Sequence, residues 1–409
     1  MKVKQFKLLF LTCFIFSSSV YGAIFKPRTK AKQAILIAVE SGSVLYEKNS
    51  QQKMTPSSMT KVMTTYLIFE ALQQKFLKLD QKYLVSQKAR RQGGSRMFLE
   101  QGSNVTIEEL LKGTIVSSGN DATVTLAEGF AGTEETFAHA MTEKARSIGA
   151  KNTVFLNSNG WPTRGHYSTA KDLATIAVSL IKNFPKLYNK YYYLYEYKYN
   201  NIKQYSHNVL LKNLQEDYRV DGMKTGHTQK GGYGIILSAV KPGPNPTRII
   251  CVLNGFKSEA ERAREARALL QWAFNQHRTN KLMTKNKVYF NLPFENSETK
   301  EAEVVTPKDV YFTSHHSKAK RLKFKLESLK KSAPLAKGTH VANLHVEGTL
   351  KENFVIPLYT KTEVRESGLF RRMFNRVKGY FVSQKRVEYK ELVTKITSSL
   401  LKEENKTRL

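Results

Sequence analysis

Changes in the period of apolar and polar positions outline how the chain is organised. Ala34-Ile35-Leu36-Ile37-Ala38-Val39 and Val44-Leu45-Tyr46 flank the turn Ser41-Gly42-Ser43, which predicts a β-hairpin. After Pro56 and Ser57, the apolar residues over 62–72 recur at helical spacing. Further helices are expected at 107–116, 121–130, 134–148 and 170–181. Strand patterning returns at 234–240 and 248–253, and 259–274 closes the region as a helix. Strands, a block of helices and returning strands predict one α+β domain over 23–277.

Beyond it the period shortens. Apolar runs at 288–290, 310–312, 322–326, 341–346 and 354–358 are short and separated by polar turns, so a small all-β domain is expected over 283–364. Then Leu369, Phe370, Met373, Phe374, Val377, Tyr380 and Phe381 share one helical face, opposite Arg371, Arg372, Arg376 and Lys378. An apolar face backed by cations alone is the pattern of a helix lying in a membrane interface. The tail 367–409 is therefore expected to anchor the protein to a membrane surface through 368–381.

The first residues set the compartment. Lys2, Lys4 and Lys7 precede a short apolar run, and Tyr21-Gly22-Ala23 supplies small residues for cleavage, so 1–22 reads as a secretory signal peptide. Cys13 falls inside that leader, which leaves Cys251 alone as a small buried apolar residue and excludes an intrachain disulfide framework. Among 409 residues, 66 Lys+Arg face 34 Asp+Glu, a formal +32. In an exported protein that excess points to anionic lipid or an anionic wall polymer and ranks nucleic acid last. With 41% hydrophobic residues the chain is too rich in core-formers for disorder. No HExxH or paired-Cys spacing occurs, so neither a metal nor any other cofactor is expected.

Ser58-Met59-Thr60-Lys61 sets a hydroxyl and an amine one helical turn apart, so a neutral Lys61 could deprotonate Ser58. The spacing alone is worth little, since it recurs at Ser50, Ser168, Ser179, Ser238, Ser297, Ser317, Ser328 and Ser399. What singles out Ser58 is its company. Ser118-Gly119-Asn120 sits between two helical patterns, presenting a hydroxyl and an amide. Lys224-Thr225-Gly226 precedes a strand, with Gly226 expected to let a substrate backbone approach the strand edge. This ordered set characterises penicillin-binding proteins and class A β-lactamases.

The chain resembles the low-molecular-mass penicillin-binding proteins that act as serine-type D-Ala-D-Ala carboxypeptidases. Shared wording includes Gly94-Ser95-Arg96-Met97-Phe98, Ser118-Gly119-Asn120-Asp121-Ala122, Asp221-Gly222-Met223-Lys224-Thr225-Gly226-His227-Thr228 and Leu269-Leu270-Gln271-Trp272. The resemblance implies a β-lactamase/transpeptidase-like catalytic domain, an antiparallel sheet with helices, followed by the all-β domain and the amphipathic helix. It implies Ser58 as nucleophile, Lys61 as its base and Ser118 as proton relay. Asn120 would hold the substrate amide and Lys224 and Thr225 the terminal carboxylate, while the N–H groups of Ser58 and His227 would form the oxyanion hole. Peptidoglycan stem peptides would be substrates and β-lactams inhibitors, at the periplasmic face of the inner membrane.

Arg262, ten residues before Trp272, either adds charge for the carboxylate or belongs to a solvated helix face. Where the family reads His-Gly-Leu, this chain has Asn159-Gly160-Trp161, in a loop linked to deacylation in relatives. Nearby His166 reads as a surface histidine. A serine β-lactamase is the main rival, but no Glu-x-x-Leu-Asn run lies between Asn120 and Lys224 to speed deacylation. A silent penicillin-binding wall protein is opposed by the intact Ser58/Lys61 pair.

Overall fold

The computed structural model describes residues 27–212, 217–243, 246–299, 301–315, 322–330, 332–347 and 353–368. The expected leader at 1–22 and the cation-backed helix at 369–381 lie outside the described residues.

A five-stranded antiparallel sheet runs in the order Val44–Lys48, Gln33–Ala38, Thr247–Phe256, Gly232–Lys241 and Arg219–Thr228. Its central strands are apolar at consecutive positions because both faces are covered. Leu36, Leu237 and Cys251 face the helix Glu259–Gln276, packing on Ala266, Leu270 and Phe274. Ile35, Ile236 and Val252 face the other way, into a helical block. Cys251 is fully buried and unpaired, as read.

At the centre of that block lies the helix Lys61–Gln73, with all but three of its residues buried. It is apolar nearly all round, which is the condition of a helix wrapped by others. Packed around it are Ile107–Ile115, Asn120–Ala131, Glu134–Ser147 and Ala170–Asn183. Three of these begin where a threonine accepts from the backbone N–H three residues on: Thr106 from Glu109, Thr133 from Thr136 and Thr169 from Asp172. Ser258 does the same for Glu259–Gln276.

A third core belongs to another sheet, ordered Phe290–Pro293, Glu301–Val305, Asn353–Thr360, His340–Glu347 and Lys323–Ser328. Two strands in this region escape the apolar pattern. Glu301–Val305 opens on Glu-Ala-Glu, and His277–Met283 reads as polar linker text. The latter leaves the helix Glu259–Gln276 without a gap and pairs with Val310–His315, so the β part begins at His277 rather than at 283.

Beneath the outer strand Arg219–Thr228, Arg248 Nη1 donates to both oxygens of buried Asp221 at 2.7 Å, and Tyr188 OH donates to Asp221 Oδ1 at 2.9 Å. Arg248→Met strands Asp221 as a buried, uncompensated carboxylate, a change that costs about 3–5 kcal/mol in comparable pairs. Urea unfolding should show a lowered midpoint; an unmoved midpoint would refute the role given to the pair.

Candidate active site

The site forms where the helical block meets the open edge of the sheet. A single turn of 3-10 helix, Ser57–Thr60, feeds directly into Lys61–Gln73. Ser58 is half-buried at the start, while Lys61 is 1% exposed. Its Nζ lies 3.0 Å from Ser58 Oγ, 2.7 Å from Asn120 Oδ1 and 2.9 Å from the Asn159 carbonyl oxygen. An ammonium would spend its three N–H bonds on these three oxygens. A neutral amine donates to Asn120 and Asn159 and keeps its lone pair for the Ser58 hydroxyl. Burial drives Lys61 towards that neutral form, pushing its pKa well below the usual lysine range, and the nearby Lys224 charge adds to the effect.

Each partner of Lys61 is itself held. Asn120 opens the helix Asn120–Ala131, and its Nδ2 donates to Gly93 O at 2.7 Å. One Nδ2 hydrogen is left for a substrate carbonyl. Asp121 accepts from the N–H groups of Met97 and Leu99, tying the segment that carries Gly93 to the same helix. Ser118, 3% exposed, lines the cleft in a left-handed conformation with φ 57°. The Asn159 carbonyl is aimed by its neighbours: Ser158 N and Oγ both donate to Glu134 Oε1, and the Asn159 side chain bridges Gln92 and the Trp161 N–H. Gly160 is obligatory here. At φ +83° a Cβ would lie 1.8 Å from Ser57 O.

Arg219–Thr228 is the sheet's outer strand. Thr225, Gly226 and His227 line the cleft, and the His227 ring stacks on Tyr233 at 3.8 Å between centroids. Lys224 is buried behind them, its pKa pushed down to about 7 by burial and by Arg262. Gly226 carries a constraint that the sequence reading did not include. A Cβ there would sit 3.0 Å from Pro56 O and 3.2 Å from Met59 N, so the missing side chain lets the serine turn pack on the strand.

Arg262 is 3% exposed and lines the cleft, which excludes the solvated-face reading. Its Nη2 donates to His207 O and to Glu259. Together these residues bound a cleft of about 830 Å³. His166 corrects the sequence reading: it is buried, not on the surface. Its Nδ1 accepts from Leu156 N–H at 3.1 Å, which leaves Nε2 as the donor to Thr60 Oγ1 at 3.0 Å. Burial lowers its pKa to about 4, so the ring stays neutral and ties the 156–166 loop to the serine turn. Sequence reasoning passed over Glu134, His207 and Tyr233. Only the Asn159-Gly160 pair carried a local signal, that of a turn.

Comparison with known proteins follows the same two regions. The family model described as D-alanyl-D-alanine carboxypeptidase matches residues 22–257, and that of the penicillin-binding protein 5 C-terminal domain matches 277–366. The chain is 34% identical over 347 residues to D-alanyl-D-alanine carboxypeptidase DacF of Bacillus subtilis, covering 83% of this chain and 87% of that one. It is 32% identical over 363 residues to DacA of Escherichia coli K12, covering 87% and 89%. Penicillin-binding protein 5 from Haemophilus influenzae superposes with a TM-score of 0.77 at 30% identity, over 84% of this chain and 100% of that one. Penicillin-binding protein D2 from Listeria monocytogenes, solved in an ampicillin-bound form, superposes with a TM-score of 0.54 at 26% identity, over 61% and 99%.

The two lysines give the site a pH signature. Acylation of Ser58 by a carboxylate-bearing acyl donor should fall at low pH as Lys61 gains its proton, and again above about 7 as Lys224 loses its own. Lys224→Arg keeps its charge, so rate profiles of this variant should show the alkaline limb displaced upward. An alkaline limb that stays in place would mean another group produces it.

Proposed function

The chain belongs to the D-alanyl-D-alanine carboxypeptidase family, and from that premise we propose how its residues carry out the reaction. The enzyme is a serine-type hydrolase that removes the terminal D-Ala from peptidoglycan pentapeptides. The observation that carries the mechanism is the Lys61 amine, buried 3.0 Å from Ser58 Oγ.

Neutral Lys61 takes the Ser58 proton as Oγ attacks the carbonyl between the two D-alanines. The new oxyanion meets the N–H groups of Ser58 and His227, donors worth about 3 kcal/mol each in comparable sites. Lys224 and Thr225 receive the terminal carboxylate, with Arg262 adding positive charge behind them. As the tetrahedral adduct collapses, the proton held by Lys61 passes through Ser118 to the departing D-Ala nitrogen. Water then attacks the ester, its proton returning through Lys61 to Ser58 Oγ, and the shortened peptide leaves as a carboxylate. β-Lactams mimic the D-Ala-D-Ala end and acylate the same oxygen, a reading supported by the ampicillin-bound form of the Listeria protein.

The place of action is inferred from sequence pattern. The leader at 1–22 supports export, and the apolar face backed by Arg371, Arg372, Arg376 and Lys378 supports peripheral attachment to the periplasmic face of the inner membrane.

Two experiments test this. D-Ala release from a synthetic pentapeptide, together with covalent labelling by fluorescent penicillin, should be present in the parent and absent in Ser58→Ala; labelling that survives would place the nucleophile elsewhere. Deleting 369–409, which spares the hydrogen bond from Ser367 N–H to Asn296 O, should free the enzyme from membranes with D-Ala release intact. Unchanged partitioning would refute the anchor.

A further inference from the structure

A second cleft of about 520 Å³ opens beside the first, and Pro162 and Lys230 line both. Its walls carry four cations, Lys32, Lys53, Arg164 and Lys230, drawn from four separate parts of the chain. No acidic side chain lines it among the described residues. Elsewhere basic side chains find carboxylates: Lys88 meets Glu134, Lys144 meets Glu70 and Lys281 meets Asp309. The four in this cleft form no ion pair among the described residues, although Lys53 is held 4.1 Å above the Tyr167 ring. Convergent cations around a concavity, with their charge unspent, form an anion site.

Direction along the outer strand tells which anion. If Lys224 and Thr225 take the terminal carboxylate and the His227 N–H takes the scissile carbonyl, the acyl side of the peptide continues past Thr228 towards Lys230. It therefore enters the second cleft. We propose that this cleft binds free carboxylates on the acyl side of the same stem peptide, so that the enzyme selects acidic stem peptides over amidated ones. The inference rests on the carboxypeptidase reading for the direction of the peptide.

Binding separates the two ideas. Ser58→Ala protein is titrated by fluorescence anisotropy with dansyl-L-Ala-γ-D-Glu-L-Lys-D-Ala-D-Ala and with the same peptide carrying the glutamate α-carboxylate as an amide. The acid form should bind about tenfold tighter, equivalent to about 1.4 kcal/mol. That preference should vanish in about 1 M salt, where the Debye length is about 3 Å. It should also shrink in Lys53→Gln and in Arg164→Gln. Arg164 is exposed on its loop, so its variant answers even if the Lys53 variant, which loses its contact with Tyr167, folds poorly. Equal binding of the two peptides, or a preference untouched by Arg164→Gln, overturns the proposal. Equal binding of the two peptides, together with polyphosphate binding that Arg164→Gln weakens, would assign the cleft to a wall-polymer phosphate and overturn the stem-peptide assignment. An enzyme that shows the binding preference yet releases no D-Ala would overturn the catalytic reading alone.

Discussion

A lysine amine held out of water is the constraint on which the site turns. Lys61 sits at the head of a helix that is apolar nearly all round, and its side chain is 1% exposed. Two carboxylates, Asp121 and Glu134, pull its pKa upward, yet burial and the Lys224 charge prevail. The reason lies in how those acids are already engaged. Asp121 accepts from the N–H groups of Met97, Leu99 and Ala122, and Glu134 is shared between Ser158 and Lys88. Both acids are turned to other partners and neither is hydrogen-bonded to Lys61, so the amine is left with neutral oxygens. A site that needs a base near neutral pH obtains one by dehydrating an ammonium and denying it a counter-ion.

Holding three oxygens around one nitrogen costs backbone strain. Ser57 and Ser118 adopt φ values of 50° and 57°, a region that costs a side-chain-bearing residue about 1–2 kcal/mol. Both serines flank the reacting hydroxyl's surroundings, and neither could relax without moving an element that packs elsewhere. The serine turn is clamped from three sides: by Gly226 on the strand, by Gly160 on the loop, and by the neutral imidazole of His166 on Thr60. Rigid supports of this kind place catalytic groups more closely than a free loop could.

Much of this was legible from local signals and some of it was not. Helices beginning at Ile107, Glu134, Ala170 and Glu259 could be read because a Thr or Ser stands just before each, and the cap hydrogen bonds are made. Ser58 could be separated from eight look-alike spacings only by the ordered company of Ser118 and Lys224. The strand Arg219–Thr228 was harder, since its charged and glycine-rich text hides a strand whose burial comes from tertiary packing. The tyrosine-rich hairpin of Glu196–Tyr199 and Ile202–Tyr205 was passed over, although Asn200 and Asn201, both at positive φ, are the residues a tight turn demands. His166 was misassigned, and the packing demand on Gly226 was missed, because Thr60 and Pro56, which they meet, are remote in sequence.

The departure at Asn159 looks different once the geometry is in view. Lys61 is served at this position by a backbone carbonyl, which any residue would supply. The side chain points instead to Gln92 and to the Trp161 N–H, so its chemistry shapes the loop and the cleft wall rather than the base. Swapping histidine for asparagine therefore leaves the acylation machinery with the same three oxygens around the amine. The following position cannot vary in this way, because Gly160 has no room for even one carbon beyond its backbone. Two adjacent residues of one loop thus carry opposite constraints, one free in identity because it works through its main chain, the other fixed because a Cβ would strike the Ser57 carbonyl.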